Sequence, residues 1–176
     1  MIRSCGQLFR ENVPLYLVIA GDGKEGPRLR QLADHWLPGR VRFLGKVARE
    51  EMYRFYSAGD LFVFPGIGES LGMVYLEAQS CGLPIVAFAD GGVPEVVADE
   101  VSGYLVRPFE VRGFTQAIAR LLADSGMRRQ MGKAASNYVR SRHDLNKNYR
   151  MVEDILLGLA QRKRDERDGR DEKSSV

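Results

Sequence analysis

The sequence predicts an open α/β domain, a parallel sheet with helices packed on its faces, and three observations lead there. Short apolar runs recur at nearly even intervals, at 15–20, 41–44, 61–64, 85–88 and 103–106. Between them lie segments with helical apolar spacing, such as Leu29, Leu32, Ala33 and Trp36 within 27–37. The runs at 61–64 and 85–88 are apolar throughout, the composition of strands buried on both faces. Strands that alternate with helices in this way make βαβ units and a parallel sheet.

In chain order, residues 1–11 close a first helix, and Asn12-Val13-Pro14 stops it. The strand at 15–20 turns at Gly21-Asp22-Gly23 into the helix at 27–37, and the strand at 41–44 closes on Gly45. A helix at 49–58 carries Met52, Tyr53 and Tyr56 on one face and leads to the strand at 61–64. A helix then runs from about 72 to 80, ended by Cys81-Gly82-Leu83-Pro84 before the strand at 85–88. Residues 94–98 suit a short helix with proline in its first turn. The last strand, 103–106, ends near Pro108, and amphipathic helices follow at 114–122, 127–140 and 149–160. From Gln161 the chain is nearly all charge, with no apolar face to offset the entropy of ordering. The expected organisation is one domain over 1–160 and a disordered tail over 161–176.

Composition narrows the function. A chain of 176 residues, 44% apolar and 9% aromatic, holds one domain with a sizeable core. No apolar run approaches the roughly 20 residues that span a bilayer, and residues 1–6 lack the apolar segment of a signal peptide. A cytoplasmic setting is therefore expected, with peripheral docking on the inner membrane surface left open. A net charge of +3 is too small to argue for a nucleic-acid partner. Cys5 and Cys81 lack metal-type spacing and read as free thiols, and His35 and His143 stand apart, so no metal site is expected.

The informative stretch is 65–89, P-G-I-G-E-S-L-G-M-V-Y-L-E-A-Q-S-C-G-L-P-I-V-A-F-A. A strand, a glycine-rich loop and a helix in succession aim free backbone N–H groups at an anion. The N–H groups of Leu71, Gly72 and Met73 are the candidates for a phosphate, and Gly72, without a Cβ, allows close approach to the backbone. Glu69 belongs in the loop at the strand's carboxyl end, where open α/β sheets bind ligands. Glu77 lies about one and a half turns into the helix, and helical side chains lean toward the N-terminus. Both carboxylates can thus reach one ligand over the helix start and accept hydrogen bonds from sugar hydroxyls.

Glu69 and Glu77, with seven residues between them, resemble the E-x7-E signature of retaining GT-B glycosyltransferases, especially glycosyltransferase family 4. Y-S-A-G-D-L-F-V-F-P at 56–65, C-G-L-P-I-V-A at 81–87, G-G-V-P-E-V-V at 91–97 and A-G-D-G at 20–23 are similar to that family too. The resemblance covers roughly residues 15–157. It implies a Rossmann-like domain, the C-terminal, nucleotide-sugar-binding half of a GT-B enzyme with its first strand missing. It implies transfer of a sugar from a nucleotide diphospho-sugar to an acceptor hydroxyl with retention of configuration and without a metal. Glu69 becomes the catalytic-site acid, contacting the donor sugar's hydroxyls, and Glu77 the contact for the nucleotide ribose. Gly72 and Met73, with Leu71, become backbone donors to the diphosphate. Gly21 and Gly23 line the nucleotide loop or simply form a tight turn, and Val47 brackets the base by its backbone. Gly91 and Gly92 either approach the donor sugar or form a turn.

Nothing in the chain matches the family's acceptor-binding domain, so the acceptor, a sugar or a lipid-linked molecule, implies a further N-terminal domain. The family's diphosphate-binding Arg and Lys have no counterpart, since Arg3, Lys24 and Lys46 occupy other positions. A sugar-nucleotide epimerase-like enzyme shares this architecture. A non-catalytic fragment that binds nucleotide or a partner is the reading from a different class.

Overall fold

The computed structural model describes residues 1–173. Its elements run α1 (Ile2–Arg10), β1 (Leu17–Ala20), α2 (Gly26–Trp36), β2 (Val41–Gly45), α3 (Arg49–Ala58) and β3 (Phe62–Val63). They continue with α4 (Met73–Ser80), β4 (Ile85–Phe88), α5 (Val93–Val96), β5 (Gly103–Val106), α6 (Val111–Ala123), α7 (Ser125–Arg142) and α8 (Leu145–Lys173). Residues 1–139 make one compact unit, and the residues from Arg140 onward make a second.

Every strand pairing in the first unit is parallel, as the alternation of strands and helices requires. The strands form two sheets, β1-β2 and β3-β4-β5, with no pairing between β1 and β3. This is a doubly wound sheet interrupted at its centre.

Strand β4 explains how the three-stranded sheet is held. All four of its residues are buried, and alternate side chains enter different layers because strand side chains alternate in direction. Val86 and Phe88 join Ile2, Cys5 and Leu8 of α1 and Phe114, Ile118 and Leu121 of α6. Ile85 and Ala87 join Tyr56 of α3, Tyr75 and Ala78 of α4, and Val93 and Val96 of α5. Helix α1 packs on both α2 and α6, so it links the half that holds β1-β2 to the half that holds β3-β4-β5. A cavity of about 390 Å³ remains between the halves, lined by Ile2, Leu29, Leu32, Phe64, Phe88 and Phe114.

Two features depart from the sequence reading. The strand expected at 61–64 is reduced to two residues, paired only with Ile85 and Val86. Helix α8 continues through Lys173, past Gln161, where the charged tail was expected to begin. That run is rich in Arg, Lys and Glu, which are strong helix formers and carry a helix without an apolar face. Residues 151–163 of α8 are all exposed, and 174–176 of the expected tail lie outside the described residues. Among the described residues no helix is long and apolar enough to cross a membrane. Cys5 and Cys81 are both free, Cys5 buried and Cys81 half-buried.

The outer edges of β1 and β3 carry strand N–H and C=O groups that no neighbouring strand takes up, and such edges invite pairing with another chain. The isolated chain is therefore expected to self-associate at tens of micromolar concentration. Light scattering coupled to gel filtration tests this, and a monodisperse monomer is the contrary result.

Candidate functional site

Because all the strands are parallel, the loops after β1, β2, β3, β4 and β5 leave from carboxyl ends. That is the end at which open α/β sheets bind ligands. The loop from β3 to α4 is the most constrained. Gly66, Gly68 and Gly72 all have positive φ, and Gly72, the N-cap of α4, is left-handed at φ 66° and ψ 27°. A Cβ at Gly72 would lie 2.5 Å from Val96 Cγ2 and 3.3 Å from Tyr75 Cδ2. Glycine is thus required there by backbone conformation and by the packing of α5 against the turn. Behind the loop, the Tyr75 hydroxyl donates to the Phe64 carbonyl at 3.1 Å. Burial, helped by the charge of Glu69, pushes the Tyr75 phenol above its ordinary range.

A second set of bonds fastens this loop to the one after β4. The Gly92 N–H donates to the Glu69 carbonyl at 2.8 Å, and the Gly68 N–H to Asp90 Oδ2 at 2.7 Å. Gly91 and Gly92 lie directly against the backbone of Glu69 and Ser70, so a side chain at either would collide with that loop. Of their two sequence readings, the turn accounts for their contacts here.

The side chain of Glu69 folds onto the start of α4. Its Oε1 accepts from the Gly72 N–H at 3.1 Å and from the Leu71 N–H at 3.4 Å. Two of the three N–H groups expected to meet a phosphate are therefore held by Glu69 itself. Among the described residues the N–H groups of Met73 and Val74 find no acceptor. They are the free donors at the positive end of the helix dipole.

Glu77 looks toward α3. The Tyr56 hydroxyl donates to its Oε2 at 3.3 Å, and Arg49 Nε lies 3.8 Å from its Oε1. Arg49 opens α3 directly after the loop that contains Val47, so this ion pair brings the β2–α3 loop beside α4. Gly21 has φ 124° and donates its N–H to the Gly45 carbonyl at 2.8 Å, tying the β1 loop to the end of β2. A Cβ at Gly21 or Gly23 would meet nothing within 4 Å, so this turn faces open space.

Arg49 and Asp90 were not singled out in the sequence, and Tyr56 only as part of one face of its helix. Tyr56 lies within the family-like run at 56–65, but nothing there marks its hydroxyl as Glu77's partner. Asp90 lies two residues past the end of β4, and its contact with Gly68 spans 22 positions. Among the described residues no cluster of three or more His, Cys, Asp and Glu side chains is placed to hold a metal ion.

Parallel strands with flanking helices give this chain the fold of the C-terminal domain of GT-B glycosyltransferases. The glycosyl transferases group 1 family matches residues 1–138, and the chain belongs to it. It is 38% identical over 124 residues to the D-inositol 3-phosphate glycosyltransferase of Salinispora tropica, covering 69% of this chain and 26% of that protein. It is 34% identical over 146 residues to the GDP-mannose-dependent monoacylated alpha-(1-6)-phosphatidylinositol monomannoside mannosyltransferase of Corynebacterium glutamicum. That match covers 79% of this chain and 38% of the relative. Anabaena Alr3699/HepE, solved in complex with UDP, superposes with a TM-score of 0.78 at 26% identity, over 89% of this chain and 44% of that one. The chain thus spans less than half the length of these proteins.

Two outcomes follow from the geometry. Gly72→Ala forces a side chain into a left-handed position and against Val96, and is expected to cost at least about 1–3 kcal/mol, read by urea denaturation. The Tyr56 phenol is pushed up from 10.0 to about 12 by burial first, then by the charge of Glu77 and the bond to it. A pKa raised on folding stabilises the protein below the unfolded value and is lost above the folded one, so this contribution fades between about pH 10 and 12. Ultraviolet titration of the folded chain against Tyr56→Phe is expected to show the Tyr56 step centred near pH 12, above the ordinary phenol range.

Proposed function

We propose that this chain is the donor-binding half of a retaining glycosyltransferase of family 4, with Glu69 and Glu77 as its E-x7-E pair. The observation that carries the reading is the placement of the two carboxylates around the start of α4. Among the described residues Glu69 Oε1 caps the turn while its Oε2 meets no donor, and Glu77 Oε1 makes no close hydrogen bond. The free N–H groups of Met73 and Val74 lie between the two acids in sequence, at the helix N-terminus.

A nucleotide diphospho-sugar fits this order. Its ribose hydroxyls meet Glu77, its base lies along the Val47 and Gly21–Gly23 loops, and its diphosphate meets the N–H groups of Met73 and Val74. The sugar hydroxyls reach Glu69. In the transfer the bond between the anomeric carbon and the diphosphate oxygen breaks as the acceptor oxygen bonds to that carbon on the same face. The acceptor's proton passes to the departing diphosphate. The developing charge on that diphosphate is stabilised by fixed dipoles, without a metal ion. The acceptor, a sugar or a lipid-linked molecule, would be held by a further domain. The relatives' names, an inositol phosphate glycosyltransferase and a phosphatidylinositol monomannoside mannosyltransferase, support an acceptor of the polyol or glycolipid kind.

Isothermal titration with a nucleoside diphosphate and the matching nucleotide sugar tests the division of labour. Glu77→Ala is expected to weaken both ligands by about 1.5–3 kcal/mol, the worth of hydrogen bonds to a charged group. Glu69→Ala is expected to reduce only the extra affinity that the sugar confers. Equal losses for both ligands in both variants would remove the basis for the assignment.

A further inference from the structure

We propose that Tyr56 is a positioning residue for ribose recognition. It holds one oxygen of Glu77 so that the other is presented to the ribose hydroxyls of a nucleoside diphosphate. The inference rests on the ribose role of Glu77 and deepens it.

The Tyr56 ring cannot wander. It is only 7% exposed and sits edge-on to Phe62 at 5.7 Å and 75°. Phe62 in turn meets the fully buried Tyr75 edge-on at 5.9 Å and 83°. With the ring fixed, the hydroxyl is a donor at a set place, and it points at Glu77 Oε2. Its raised pKa keeps the proton on that oxygen throughout the neutral range, so it always donates to the carboxylate.

The other side of Glu77 is held loosely. Arg49 Nε, at 3.8 Å from Oε1, is beyond hydrogen-bond length, and the Arg49 side chain is 80% exposed. An exposed ion pair of this kind is worth little and gives way readily. A carboxylate has about four acceptor positions, and Tyr56 uses one. What remains on Oε1 can take the two hydroxyls of a vicinal diol. The terminal torsion of a glutamate is broad when unrestrained, so fixing Oε2 removes orientational freedom before the ligand arrives.

The test compares the 176-residue chain with Tyr56→Phe, Glu77→Ala and the double variant, by calorimetry. The probes are uridine and guanosine diphosphate, each beside its 2′,3′-dideoxy counterpart, with thermal midpoints recorded in parallel. The unaltered chain is expected to prefer the ribose form. Tyr56→Phe is expected to cut that preference about 3- to 10-fold, with the dideoxy affinity unchanged, and to add nothing once Glu77 is alanine. Equal weakening of ribose and dideoxy forms by Tyr56→Phe would make the tyrosine merely structural and overturn the proposal. Glu77→Ala losing the preference while Tyr56→Phe retains it would overturn the positioning role and leave the ribose assignment standing. An undiminished preference in Glu77→Ala, or none in the unaltered chain, would overturn both.

Discussion

The site depends on one backbone constraint, the left-handed turn at Gly72. A residue with φ 66° reverses the chain from the β3 loop into α4, and Val96 fills the space where a side chain would stand. That turn fixes the start of the helix and hence the direction of its unpaired N–H groups. It also sets the phase of everything downstream. Tyr75 points inward under Gly66, Gln79 donates to the Val96 carbonyl at 2.8 Å, and Glu77 emerges on the side that faces α3. Moving the turn by one residue would carry Glu77 around the helix by about 100°, away from Tyr56.

Around that turn the two acids have different supports, and the difference fits different tasks. Glu69 is bound locally, to N–H groups two and three residues ahead of it, so its position follows the loop. Glu77 is bound at a distance, by a tyrosine 21 positions earlier, so its position reports how α3 packs on α4. One acid is set by backbone shape and the other by helix packing. Ligand contacts through both therefore require the loop and the helix pair to be in place together.

Much of this could be read from the sequence because it rests on local chemistry. The strand and helix periods, the proline and glycine stops and the glycine-rich loop each reflect a short-range preference, and the corresponding elements formed near their expected places. What could not be read rests on contacts distant in sequence. The Tyr56–Glu77 and Gly68–Asp90 bonds join residues more than twenty positions apart, and neither partner carries a local mark of the other. The extent of β3 was misjudged because an apolar run marks burial, whereas strand length depends on how far the backbone stays in register with its neighbour, here only at Phe62 and Val63. Helix α8 runs past Gln161 because Arg, Lys and Glu favour helix even where charge density argues for solvation.

The break between β1 and β3 has a consequence for how the domain opens. No backbone bond joins the two sheets, so they are coupled through side-chain packing, much of it by α1. Cooperative units of unfolding tend to follow such boundaries. Amide protons of β4, between two strands and buried throughout, are expected to belong to the slowest-exchanging class. Those of β1 and β2, held by a single strand pairing, are expected to form a separate, faster class. The β1 and β2 loops then sit on the half expected to open first, and the α4 turn on the half expected to open last. Protection against exchange would then divide the carboxyl-end loops between a firm turn at α4 and yielding loops after β1 and β2.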